Sequence, residues 1–160
     1  MTIEFMKKPD LDAADIAILM MLQKDAKVTI KEMSAGCFLS HTAVHSRITK
    51  LEALGIIERH TAIIKKKELN LSLVAFVTVR LIDYNENSLQ LFRTAISGFQ
   101  EITQASLTES NDCIIIKVVV EHPSSYERFY HEKLLNIPGI GDINSRLAIA
   151  EKKCETILNL

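Results

Sequence analysis

The stretch LSHTAVHSRITKLEALGII, residues 39–57, decides how the first part of this chain folds. Ser40 is a helix-capping residue, because its hydroxyl can accept from the first unpaired backbone N–H groups. Val44, Ile48 and Leu51 then recur at steps of four and three, which lays one apolar stripe along a helix running to Leu54. Gly55 suits the left-handed position just past the helix end. With the stripe turned inward, His41, Thr42, His45, Ser46 and Thr49 turn outward, and each can donate or accept hydrogen bonds.

Upstream, two further helices are expected. Asp12 can cap the first, with Asp15 near its positive end, and Ile16, Leu19, Met20 and Leu22 set its apolar side. Thr29-Ile30-Lys31-Glu32 has the pattern of a capping box and starts a short helix to about Cys37. Downstream of Gly55, Ile56–His60 and Thr61–Ile64 read as two short strands, followed by the basic run Lys65-Lys66-Lys67. Three helices and a small hairpin make a winged helix-turn-helix.

The rest of the chain alternates strand and helix. Ser72–Ile82 (SLVAFVTVRLI) and Cys113–Val120 (CIIIKVVV) are rich in β-branched residues and read as strands. Ile102–Thr108 and Ile140–Ala150 complete a set of four. Helices fall at Asn87–Ser97, with Phe92, Ala95 and Ile96 on one face, and from Pro123 through Tyr126, Phe129 and Tyr130. The order βαββαβ is ferredoxin-like. The fold class is therefore α+β, with a boundary near Glu68–Asn70: residues 1–68 form an arm and winged helix-turn-helix, and 69–160 a ferredoxin-like domain. The two apolar strands are greasy at odd and even positions alike, so both faces of the sheet call for burial. Two helices cover one face, and a second copy of the chain is expected on the other.

Composition narrows the class of function. The chain has 160 residues, 48% of them hydrophobic and 24% charged, which is globular rather than disordered. No uncharged apolar run is long enough for a membrane span, and residues 1–10 lack the apolar core of a signal peptide and read as a loose arm. A cytoplasmic protein is expected. Cys37, Cys113 and Cys154 are scattered, with no zinc or redox spacing, so no metal site and no cofactor are expected. Net charge is −1, but His41–Lys67 holds six Lys/Arg against two Asp/Glu, a basic segment in a near-neutral chain. Neither a Gly-rich phosphate loop, nor a nucleophile elbow, nor an HExxH pattern occurs, which weighs against an enzyme.

These features point to double-stranded DNA as a partner. A recognition helix enters the major groove by its N-terminal end, where Ser40, His41, Thr42, His45, Ser46 and Thr49 can meet base edges and a phosphate. Arg47, Lys50 and the wing residue Arg59 suit phosphate contacts that fix position without reading sequence.

LDAADIAILMMLQKDAKVTIKEM (11–33), LSHTAVHSRITKLEALGIIERHTAII (39–64) and LVAFVTVRL (73–81) also resemble the Lrp/AsnC (feast/famine) family of transcription regulators, in order and spacing. IPGIGDI (137–143) and KKCETILNL (152–160) are similar to that family's closing segments. The resemblance implies a winged helix-turn-helix joined to a ferredoxin-like ligand-binding domain. It also implies homodimers that build higher even-numbered oligomers, and an amino-acid effector held in clefts. By the same resemblance the effector site maps to Ser110, Asn111 and Asp112 on one loop and Asn144 and Ser145 on the last strand. Two departures stand out. Phe38 precedes Leu39-Ser40 where the family has a small residue, and Glu109 replaces the glycine of the family's Gly-x-x-Asp, adding a second negative charge. Two other readings stand beside the regulator. Some Lrp-like proteins decarboxylate sirohaem-type tetrapyrroles, and a ligand-binding module need not bind DNA. The exposed polar and basic groups of the third helix favour DNA.

Overall fold

In the computed structural model, residues 10–108, 113–149 and 157–158 are described. The expected N-terminal arm, loop residues 109–112, Ala150 and Cys154 lie outside them. The described chain forms two units: 10–63 together with 157–158, and 64–149.

The first unit has three helices, α1 (Ala13–Lys24), α2 (Ile30–Cys37) and α3 (His41–Ala53). Each begins where a side chain can satisfy an orphan N–H. Asp12 accepts from the Asp15 amide at 2.8 Å, and Asp15 returns the bond to the Asp12 amide at 3.4 Å. Thr29 and Glu32 form the reciprocal box expected from their spacing, at 2.7 and 3.2 Å. Ser40 accepts from the Ala43 amide at 3.2 Å. Ile18, Leu19, Met33, Val44 and Leu51 are buried together and form the core.

Two backbone positions in this unit are left-handed for different reasons. Gly55 sits at φ +69, past the end of α3, where a missing Cβ removes the steric cost. Phe38 adopts φ 54 and ψ 41 as the C-cap of α2. For a residue other than glycine such a conformation costs on the order of 1 kcal/mol.

The hairpin expected after Gly55 is not formed. Residues 56–65 run without strand pairing among the described residues. Ile56 and Ile57 pack on the helical core instead, while Ile63 and Ile64 stay exposed. The reason is local: no Asn-Gly, Asp-Gly or similar turn pair lies between the two apolar runs to reverse the chain. Ile157 and Leu158 return to this unit. The Gln23 side-chain amide accepts from the Leu158 amide at 2.7 Å and donates to the Leu158 carbonyl at 3.3 Å. These two residues line a groove of about 720 Å³ with Leu19, Leu22, Ile56 and Ile57.

The second unit is a four-stranded antiparallel sheet carrying two helices. Its strands are β1 (Leu73–Leu81), β2 (Ile102–Leu107), β3 (Cys113–Val120) and β4 (Ile140–Leu147), in the order β2-β3-β1-β4. The helices are α4 (Glu86–Ser97) and α5 (Pro123–Glu132). Asn85 caps α4 through the Ser88 amide at 2.9 Å, and Pro123 opens α5, where a missing N–H is harmless. Connectivity and order are those of the ferredoxin-like fold. Ala75, Val77 and Val79 of β1 and Ile114, Ile116 and Val118 of β3 pack against Phe92 and Phe129.

The opposite face of the sheet is mixed rather than uniformly apolar. Phe76 and Ile115 lie on it, 44% and 39% exposed, beside Thr78 and Lys117. The Lys117 ammonium sits 5.8 Å from the centre of the Phe76 ring, so the face carries a cation–π contact as well as apolar surface.

Candidate nucleic-acid interface and effector region

Helix α3 presents the polar face expected of it. Val44 and Leu51 are buried and Ile48 is partly buried, while His41, Thr42, His45, Ser46, Thr49 and Lys50 are exposed on the other sides. Ser40 is exposed at the helix start, and its hydroxyl lies 3.0 Å from that of Thr42. Thr49 is less free than its exposure implies. Its hydroxyl donates to the His45 carbonyl at 3.1 Å, which leaves its lone pairs for an outside donor. Arg59 is exposed on the extended segment after α3, and His60 Nε2 meets Glu52 Oε1 of α3 at 3.3 Å.

Arg47 stands apart from the other polar residues of α3. Its Nη1 lies 2.6 Å from Asp15 Oδ1 and 2.7 Å from Asp12 Oδ2. Asp15 is 1% exposed and is the buried charged side chain of this unit. Lys50 Nζ is 3.8 Å from the second oxygen of Asp15. A carboxylate without water must be matched by hydrogen-bonded positive charge, and Arg47 supplies it. The pair ties α1 to α3 and sets how the polar face of α3 is held. The Asp15 backbone N–H and then Arg47 hold the Asp12 carboxyl below the usual carboxylate range. The Asp15 and then the Asp12 hydrogen bonds hold the Arg47 guanidinium above its ordinary value. Nη1 of Arg47 is thus taken up by the two carboxylates, whereas the Lys50 side chain is more open. Arg47, Lys50, Ser46, Ala43 and Asp12 surround a shallow depression of about 370 Å³.

The carboxylates at the start of α1 were readable only as capping residues. Nothing local in the sequence links Asp15 to a cation 32 positions away, so their role beside α3 was missed.

Of the residues that the resemblance assigns to an effector, Asn144 and Ser145 are described. Ser110, Asn111, Asp112 and Glu109 lie outside the described residues. The Thr108 amide donates to the Cys113 carbonyl at 3.0 Å. Asn144 and Ser145 are consecutive on β4 and so occupy opposite faces of the sheet. Asn144 pairs with Thr78, on the face without helices. Ser145 pairs with Val77, on the helix-bearing face, and its hydroxyl is hydrogen-bonded to that of Tyr126 on α5. Burial raises the Tyr126 phenol above its ordinary pKa, and the bond to Ser145 works the other way. The two residues therefore do not form one wall together.

Among the described residues no group of His, Cys, Asp and Glu could hold a metal ion, and no helix is long and apolar enough to cross a membrane.

A helix-turn-helix with an exposed polar third helix, followed by a ferredoxin-like sheet, defines a DNA-binding regulator with a ligand-binding domain. Residues 11–58 match the winged helix-turn-helix DNA-binding family, and residues 74–158 match the Lrp/AsnC ligand binding domain. The leucine-responsive regulatory protein of Escherichia coli K12 is 32% identical over 149 residues, covering 92% of this chain and 91% of its own. An AsnC family transcriptional regulator from Agrobacterium tumefaciens superposes with a TM-score of 0.87 at 28% identity, over 93% of this chain and 97% of that one. A transcriptional regulator from Neisseria meningitidis, solved as a complex with L-Met, gives 0.86 at 25% identity, over 93% and 96%. The chain belongs to the Lrp/AsnC family of transcription regulators.

Replacing Asp15 by Asn is expected to lower the melting temperature by several degrees and to weaken binding to every DNA sequence alike. Arg47→Met should do the same, and the double variant should cost little more than either single one, because both remove one interaction. A thermal melt and a DNA titration of the four proteins check this; additive losses would mean that Arg47 acts apart from Asp15. The sign with pH follows from Asp12. Its folded pKa is lowered, so its contribution to stability is present above the ordinary carboxylate range and lost as pH falls through the folded value. Asp12→Asn should flatten that acid-side loss.

Proposed function

We propose that α3 reads the major groove through His41, Thr42, His45 and Ser46, while Ser40, Arg47, Lys50 and Arg59 hold phosphates and Thr49 supports the same face. The observation that carries this is the division of α3 into a buried stripe of Val44, Ile48 and Leu51 and an exposed polar face at its N-terminal end. The depression beside Lys50, Arg47 and Ser46 suits a phosphate, with Lys50 as its freer cation. Lys50→Ala should weaken binding to all sequences and reduce the log–log salt slope by about one unit. His45→Ala should instead relax preference at particular base pairs, by roughly 1–3 kcal/mol if its contact is direct. Binding titrations against a selected site, its single-base variants and random DNA, at several salt concentrations, separate the two. Equal effects from both variants would remove the assignment of roles.

The protein works as a homodimer that builds larger even-numbered assemblies, in the cytoplasm. The support is the helix-free sheet face, where Phe76 and Ile115 remain open to solvent beside Thr78 and Lys117. Light scattering at micromolar concentration should give at least twice 18.0 kDa. Phe76→Asp should shift the mass toward the monomer, because it places a carboxylate in a face that must be desolvated. A monomeric wild type would overturn this reading.

The effector is an amino acid or a related zwitterion, as for the relative solved with L-Met. Asp112 takes the ammonium group, Ser110 and Asn111 add hydrogen bonds, and Asn144 joins them from the helix-free face of β4. Ser145 contributes through its hydrogen bond to Tyr126. The carboxylate of Glu109 disfavours acidic ligands. A thermal-shift screen of the twenty amino acids should give a hit that Asp112→Ala abolishes and whose range Glu109→Gly broadens. A hit that survives Asp112→Ala puts the site elsewhere.

A further inference from the structure

Phe38 is 95% exposed, more than any other large apolar side chain among the described residues of its unit. It also holds the left-handed backbone that glycine or asparagine would adopt with less strain. A single exposed apolar residue needs no explanation, and neither does a single left-handed one. Both together, on a bulky residue, mark a position that neither packing nor backbone preference accounts for.

The turn that carries it is held firmly. The Ser34 carbonyl accepts from the amides of both Phe38 and Leu39, and the Ser34 hydroxyl donates back to the Leu39 carbonyl. The Leu39 side chain packs on the core, and Ser40 caps α3. Of the three consecutive side chains, one is tucked in, one is spent on the cap, and Phe38 alone projects outward. The ring is thus an apolar group on a rigid support, two residues before the Ser40 cap of α3.

We infer that Phe38 is a DNA-contacting residue, placing its ring against an apolar surface at the groove wall beside the bases reached by His41 and Thr42. Such surface comes from a thymine methyl group or from the face of a deoxyribose. Phenylalanine suits either one, and a contact of this kind carries no charge. The inference rests on the assignment of α3 as the reading helix.

The test uses the full-length chain with Phe38→Gly and Phe38→Asn, both compatible with the left-handed backbone. Melting temperatures should equal or exceed that of the wild type, because backbone strain is relieved and no buried contact is lost. Affinity for a selected DNA site should nevertheless fall about tenfold, with the salt slope unchanged, since no phosphate contact is removed. Repeating the titration with uracil for thymine at each position identifies the surface. A wild-type loss at one position that the variants do not share points to a methyl group, and no such position points to deoxyribose. Wild-type affinity in both variants would overturn the inference, as would unchanged DNA binding with a smaller assembly on light scattering, which would make Phe38 a protein contact. His45→Ala separates this from failure of the wider reading. If it loses base preference while Phe38→Gly binds normally, only the role of Phe38 falls. If neither variant changes binding, the reading of α3 falls as well.

Discussion

The carboxylate of Asp15 is buried inside a unit of three short helices, and a buried charge is tolerated only when it is paired. Arg47 meets that requirement from α3, with Asp12 sharing the same guanidinium nitrogen at 2.7 Å. Much of the first unit depends on this. The apolar contacts among Ile18, Met33, Val44 and Leu51 press the helices together, but dispersion and burial are not directional. A two-carboxylate grip on one nitrogen is directional, and it limits how α3 can roll or slide on α1. The exposed polar residues of α3 are thereby held at defined positions, and groups positioned in advance bind a partner at a lower ordering cost.

The same pairing redistributes the charge of the interface. The basic segment from His41 to Lys67 looks like a uniform cationic surface when counted along the chain. In space, Arg47 is matched by two carboxylates and Lys50 lies near one of them. The field offered to DNA is weaker on that side than the count implies. Under the proposed reading of α3, recognition leans on hydroxyl and imidazole groups and on the ring of Phe38, which suits selection among sequences better than general attraction to phosphate.

In the second unit the controlling constraint is the alternation of side chains along a strand. Strand β1 lies in the middle of the sheet and pairs with β3 and β4. Its odd-numbered residues from Ala75 to Leu81 therefore meet the helices, and Phe76 and Thr78 meet the other side. The same rule, carried across the register, sends Asn144 and Ser145 of β4 to opposite faces. Ser145 is drawn into a hydrogen bond with Tyr126, which makes it a link between sheet and helix α5.

Helix positions, the caps Asp12 and Ser40, the Thr29–Glu32 box, the four strands and the outward face of α3 were readable from residue order, because caps and periodicities act within a few residues of one another. A Ser124–Glu127 box was also read for α5, which instead begins after His122 without a side-chain cap. The absence of a hairpin after Gly55 was not read, although its cause is also local: two apolar runs without a turn pair extend instead of folding back. The partners were beyond reach for a different reason. Period decides which side of an element a residue takes, and says nothing of what waits there. Only tertiary structure brought Asp15 to Arg47 across 32 positions and Leu158 to Gln23 across 135. It likewise set Ser145 against Tyr126, and left Phe38 exposed. Local chemistry determined the elements and the family they spell out; distance-dependent electrostatics and packing decided which of the charges on α3 are paired within the fold.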